Sequence, residues 1–184
     1  MAHKYEDGIT LISGKVFDFM NPGACELDIE DVAVPLAQVC RYAGQLPLGR
    51  WYSVAQHAVN TSRIVPHEHK FTALMHDTAE AFTNDIVTPL KRAVPLFKEI
   101  EVAIETVMAR KFRFTFPLPP AVVQADREML ALETKHIRGV DLVKHDHLVG
   151  CEIDHLYPLV DLSSWTPERA YHEFMDAYHK LRPC

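Results

Sequence analysis

Ala73-Leu74-Met75-His76-Asp77-Thr78-Ala79-Glu80-Ala81 sets two adjacent ligand-type side chains inside an apolar, helix-favouring run. Helical neighbours point about 100° apart. Both can reach one ion only where other helices pack against the helix edge. Glu80 follows His76 one turn on, along the same face. The dipeptide alone is weak evidence, because the chain holds 11 His and has a second pair at His145-Asp146. The surroundings separate the two pairs.

Upstream lies Tyr52-Ser53-Val54-Ala55-Gln56-His57. Ser53 and Gln56 have the spacing of a capping box, so a helix starts here with His57 in its first turns. Downstream lies Val122-Val123-Gln124-Ala125-Asp126-Arg127-Glu128-Met129-Leu130. Asp126 is the polar member of a face formed by Val122, Val123, Met129, Leu130 and Glu133. A carboxylate facing a core is costly unless it is paired or bound to metal. Three helices can thus offer His57, His76, Asp77 and Asp126 to one site. Two imidazoles and two carboxylates suit one divalent ion (Zn, Co, Mn or Mg) and leave room for water.

This order of His, His-Asp and Asp on successive helices resembles the HD phosphohydrolase superfamily. It is most similar to the bacterial 5'-deoxynucleotidases of the YfbR type and their phage relatives, which include enzymes that strip triphosphate from dATP. The likeness runs over roughly residues 8 to 138. It includes Arg41 ahead of His57, Glu80 three residues after Asp77, and Asp85 eight after it. The branch carries Trp after its Arg, and this chain has Tyr42 there.

The resemblance implies an all-α HD bundle and a small-molecule nucleotide substrate. Glu80 and Asp85 become the catalytic carboxylates. Arg41, Tyr42, Pro89 and Lys91 become substrate contacts. Each has a plainer reading. Glu80 can be a solvated helix residue, Asp85 a turn residue beside Asn84, and Arg41 a cation at a helix C-terminus. His145, His147 and His155 read as solvated residues, since i,i+2 side chains diverge on a helix. From Thr78 to Ala125 there is no histidine. Two-metal HD enzymes use extra histidines in that interval, so a mononuclear, hydrolytic site is expected. The alternatives are a non-catalytic HD-fold nucleotide sensor or interaction module, and a bundle with a structural metal. Intact ligands with Glu80 speak against the first, and the absence of clustered cysteines against the second.

The bulk numbers agree. At 184 residues one domain spanning 1–184 is expected. Hydrophobic residues make up 48% and charged residues 24%, as in soluble globular chains. A net charge of −6 argues against a general nucleic-acid binder. Four cysteines without a CxxC pair read as reduced thiols in a cytoplasmic protein. No signal region or membrane-length apolar run is present in the sequence. A homo-oligomer is compatible with these features.

The pattern predicts a short N-terminal β-hairpin, Ile9–Ile12 with Lys15–Phe19, turning at Ser13-Gly14. A helix opens near Asp28 or Asp31 and runs through Arg41 toward Gly44, with Pro35 kinking or delaying it. Further helices are expected near 53–65, 67–82, 89–94, 96–113 and 120–138. A last one opens at Thr166-Pro167-Glu168 and runs to about Leu181.

Overall fold

Helix α2 (Val54–Ile64) runs through the middle of the protein, and every residue from Val54 to Ser62 is buried. The computed structural model describes residues 8–141 and 153–183. Around α2 stand α1 (Glu30–Gln38), α3 (Lys70–Met75), α7 (Pro120–His136) and α8 (Pro167–Leu181). The short helices α4 (Glu80–Thr83) and α5 (Thr88–Ala93) lead into the long α6 (Pro95–Phe112). A two-stranded antiparallel hairpin, β1 (Gly8–Thr10) with β2 (Val16–Asp18), precedes them. The architecture is therefore mostly helical with one hairpin, as expected.

A buried central helix must satisfy its own polar side chains. Ser53 caps α2 by accepting the Gln56 amide at 3.1 Å. The Gln56 side chain does not close the box. Its Nε2 donates instead to the carbonyls of Asp161 and Ser163, at 2.9 and 2.6 Å. Asn60 Nδ2 donates to the Asp161 carbonyl at 2.8 Å. One side of α2 is thereby fastened to the segment ahead of α8. His57, between these positions in sequence, is left for the other side.

The main core joins the hairpin to the helices. Phe17 is fully buried and stacks on Phe82 with centroids 4.0 Å apart. Leu36, Leu74, Ile104, Met108, Trp165 and Phe174 fill the same core. Burying each such side chain contributes about 1.5–3 kcal/mol before entropy is counted. A second cluster of Tyr52, Met129, Leu132 and Leu156 packs α7 against the opposite side.

Two expectations are corrected. The helix through Arg41 ends early, at Gln38, with Pro35 inside it. The chain then extends so that Cys40 pairs with Ser53 and the Arg41 amide donates to the Tyr52 carbonyl at 2.9 Å. Arg41–Gly44 is a tight turn in which Tyr42, Ala43 and Gly44 have φ of 61°, 50° and 73°. The helix expected over 67–82 is broken at the decisive pair. His76 Nδ1 donates to the Ala73 carbonyl at 2.7 Å, occupying the acceptor that a continuing helix would give to Asp77. Three-residue bonds then carry the chain to Glu80. Residues 145 and 147 lie outside the described residues, and His155 is exposed.

Candidate metal centre and its cavity

His57 stands in the second turn of α2, His76 and Asp77 in the turn between α3 and α4, and Asp126 on α7. These four side chains meet. His57 Nε2 is 3.1 Å from Asp126 Oδ1 and 3.6 Å from Asp77 Oδ2. His76 Nε2 is 3.2 Å from Asp77 Oδ2 and 3.6 Å from Asp126 Oδ1. The two Nε2 atoms are 3.3 Å apart.

The tautomers follow from the partners. His76 Nδ1 faces a backbone carbonyl, which can only accept. His57 Nδ1 faces Glu133 Oε1 at 2.6 Å, and Glu133 is fully buried. Burial opposes the charge of that carboxylate, but Arg41 and His57 hold its pKa down to about 2. It is ionised, so Nδ1 must donate. Both Nε2 atoms then point bare lone pairs at each other and at carboxylates. Nothing but a cation or extra protons makes that arrangement favourable.

The surrounding carboxylates also favour protonated imidazoles. Burial pulls the His76 pKa down, and the Asp77 and Asp126 carboxylates overcome it and push it up to about 9. His57 is raised as well. Burial opposes ionisation of Asp126, yet hydrogen bonds from both imidazoles hold it well below the usual range. A metal fits the same donors. Atoms bound to one first-row ion at about 2.0–2.2 Å stand roughly 3–3.5 Å from one another. His57, His76 and Asp126 form a group that can hold a metal ion. Asp77 lies beside it, half-buried and close to both imidazoles.

The centre opens into a cavity of about 480 Å³ that brings together the other expected residues. Glu80 is buried, and its Oε2 has no hydrogen-bond partner among the described residues. Burial and the charges of Asp77 and Asp85 raise its pKa well above the carboxylate range. Lys91 Nζ is 3.6 Å from Glu80 and 2.5 Å from Glu101, so its charge is already shared. Asp85 also has a backbone task, accepting the Tyr42 amide at 2.9 Å. Pro89 lines the cavity at the start of α5.

Arg41 is buried, with Nε 3.2 Å from Glu133 Oε2 and Nη1 3.5 Å from Asp77 Oδ2. The Tyr42 hydroxyl donates to the same Glu133 oxygen. Glu133 therefore ties a metal-centre imidazole to the guanidinium and ring of the cavity wall. Sequence reasoning placed it on the right face of α7 without giving it a task. Its seven-residue spacing from Asp126 was the available signal, two turns along one face. Val123, expected on that face, is exposed instead.

Fold and site together define a helical bundle with a buried histidine–carboxylate centre. Among known proteins no family model matches the sequence. The chain is 37% identical over 179 residues to the protein YfdR of Escherichia coli strain K12, spanning 96% of this chain and 98% of YfdR. It is 28% identical over 152 residues to a protein of Rhodobacter capsulatus, spanning 76% of this chain and 78% of that one. Both relatives are named only as uncharacterized proteins. This chain belongs to the YfdR family.

Proposed function

We propose that the protein is an HD-type, metal-dependent phosphohydrolase of 2'-deoxynucleotides. The observation that carries this reading is the meeting of two imidazole Nε2 atoms with two carboxylates that line a cavity. His57, His76, Asp77 and Asp126 would hold one divalent ion. Such an ion supplies Lewis-acid polarisation of a phosphoryl oxygen and a more acidic bound water.

The chain's own residues account for the rest. Glu80 is kept protonated by burial and by its carboxylate neighbours. It can deliver a proton to the leaving oxygen. Arg41 presents a guanidinium held rigid by Glu133 and Asp77, which suits phosphoryl oxygens. Lys91 stands behind Glu80 and balances charge. Ile86, Val87 and Leu130 give the cavity an apolar side for a nucleoside.

Charge favours a monophosphate over a triphosphate. Three cations, Arg41, Lys91 and Arg138, line the cavity against four carboxylates. A divalent ion and a proton on Glu80 add three positive charges, and the Glu133 and Glu101 carboxylates that hold Arg41 and Lys91 offset two of the charges so gained. A phosphate monoester carries about −1.5 to −2 at pH 7, and a triphosphate chain carries substantially more. The test is a panel of dNMPs and dNTPs with Co²⁺, Mn²⁺, Mg²⁺ or Zn²⁺, reading phosphate, pyrophosphate and triphosphate separately. Phosphate release from dNMPs is expected. Release of triphosphate alone would move the assignment to dNTPs, and no release from any nucleotide would reject it.

A further inference from the structure

We propose that Arg138 forms a nucleobase subsite on the part of the cavity wall past the C-terminal end of α7, reading the acceptor edge of guanine or cytosine. This rests on the nucleotide reading above. Three observations carry it.

The first is position. Asp126, Leu130, Thr134 and Arg138 all line the cavity. They follow one another at intervals of four residues along α7 and just past its end. Each interval advances about 6 Å along a helix. The backbone of Arg138 thus lies three steps from the ligand Asp126, with Leu130 and Thr134 between. An apolar and a hydroxyl side chain in that interval suit a nucleoside. A phosphate tail would need cations there.

The second is an unmet donor. Arg138 Nε is buried and has no hydrogen-bond partner among the described residues. A buried donor without an acceptor is costly, so a small shift of the side chain that turns this N–H toward a substrate acceptor is favoured. Arg41 and Lys91 differ: both are committed to carboxylates.

The third is orientation. The Arg138 guanidinium lies over the Tyr42 ring, 4.8 Å from its centroid. Tyr42 is fixed in turn by its hydroxyl on Glu133 and its amide on Asp85. With its central carbon held over a fixed ring, the guanidinium is kept in place while its N–H groups remain available for bonds. Two parallel N–H donors match two neighbouring acceptors. Guanine supplies O6 and N7, and cytosine supplies O2 and N3. Adenine pairs its N7 with an amino donor and cannot satisfy both.

The experiment compares the unmutated protein with Arg138→Ala and Arg138→Lys on dGMP, dCMP, dAMP and dTMP. Arg138→Ala is expected to raise KM for dGMP and dCMP at least tenfold more than for dAMP. Mn²⁺ affinity by calorimetry should stay within twofold, and Arg138→Lys should recover only part of the loss. Equal losses on all four nucleotides, or losses seen only with dNTPs, would overturn base reading in favour of phosphate contact. If the unmutated protein hydrolyses no nucleotide, the phosphohydrolase reading fails by itself. Calorimetric binding of dGMP against dAMP then decides the subsite: a dGMP preference abolished in Arg138→Ala supports it, and equal binding overturns it.

Discussion

His57 Nδ1 donates to Glu133 Oε1 at 2.6 Å, joining α2 to a residue 76 positions later on α7. This bond fixes the tautomer that turns a free Nε2 toward the candidate metal centre. A carboxylate behind a ligating imidazole orients the ring and raises its basicity. Here the same carboxylate also takes Arg41 Nε and the Tyr42 hydroxyl.

Glu133→Gln should therefore weaken metal binding by roughly 10- to 100-fold, the usual worth of such an outer carboxylate. It should also destabilise the fold, because buried Arg41 loses the closer of its two carboxylate partners and keeps only Asp77. Breaking one partner of a buried pair costs about 3–5 kcal/mol. Calorimetric titration with Mn²⁺ and a denaturation curve read the two effects separately. An unchanged metal affinity would mean that His57 is oriented by packing alone.

Alanine at His76, Asp77 or Asp126 removes one donor from the converging set. Each variant should lose bound metal by elemental analysis and nearly all hydrolysis. The apo fold should survive in Asp126→Ala, because that side chain is partly exposed toward the cavity. Full metal content in Asp126→Ala would reject the ligand assignment.

Much of this centre was legible in the sequence, because local signals agreed. The Ser53 cap set the start of α2 within one residue and so fixed where His57 stands. Proline at the first position marked the starts of α6, α7 and α8. The left-handed turn at Tyr42 and Ala43 was not legible. A non-glycine residue there costs about 1–2 kcal/mol, and neither side chain announces it. It persists because Asp85, 43 residues away, takes the Tyr42 amide. The break at His76 likewise comes from a side chain taking a backbone acceptor, which no periodicity reveals. Glu133 looked like a face residue because its partners lie on two distant segments, α2 and the turn at Arg41 and Tyr42.

The metal-free protein should lose stability as pH rises. His76 is raised from an ordinary 6.5 to about 9 in the folded state. A raised folded pKa contributes stability fully below about 6.5, and that contribution disappears as pH climbs through about 9. With chelator present, Tm should fall between pH 6.5 and 9. Metal affinity should rise over the same window, because the ion displaces the imidazole protons. A Tm that is flat or rising across this range in chelator would contradict the assigned charge state.

Glu80→Gln keeps the shape of the side chain and removes the proton. Metal should remain bound, since no metal-centre distance involves Glu80. Turnover should fall by about 10²–10⁴, the usual worth of general acid catalysis. A substrate with a good leaving group, such as a nitrophenyl ester, should lose much less, because its oxygen needs no proton. Loss of metal with the carboxylate would make Glu80 a ligand instead.

Under the proposed function, Tyr42 is the residue placed to test the sugar. Its hydroxyl proton is taken by Glu133, so the side chain presents to the cavity a ring face with no free donor. A ribose 2'-hydroxyl pressed there would lose water without gaining a partner. That costs about 1–3 kcal/mol, or roughly 5- to 150-fold in rate. The unmutated protein should therefore favour dAMP over AMP by that margin in kcat/KM. Tyr42→Phe keeps the ring and frees one Glu133 contact, so metal affinity should fall slightly while the deoxy preference stays. Tyr42→Ala removes the surface and should erode the preference with metal still bound. Equal rates on AMP and dAMP in the unmutated protein would show that this wall does not test the sugar.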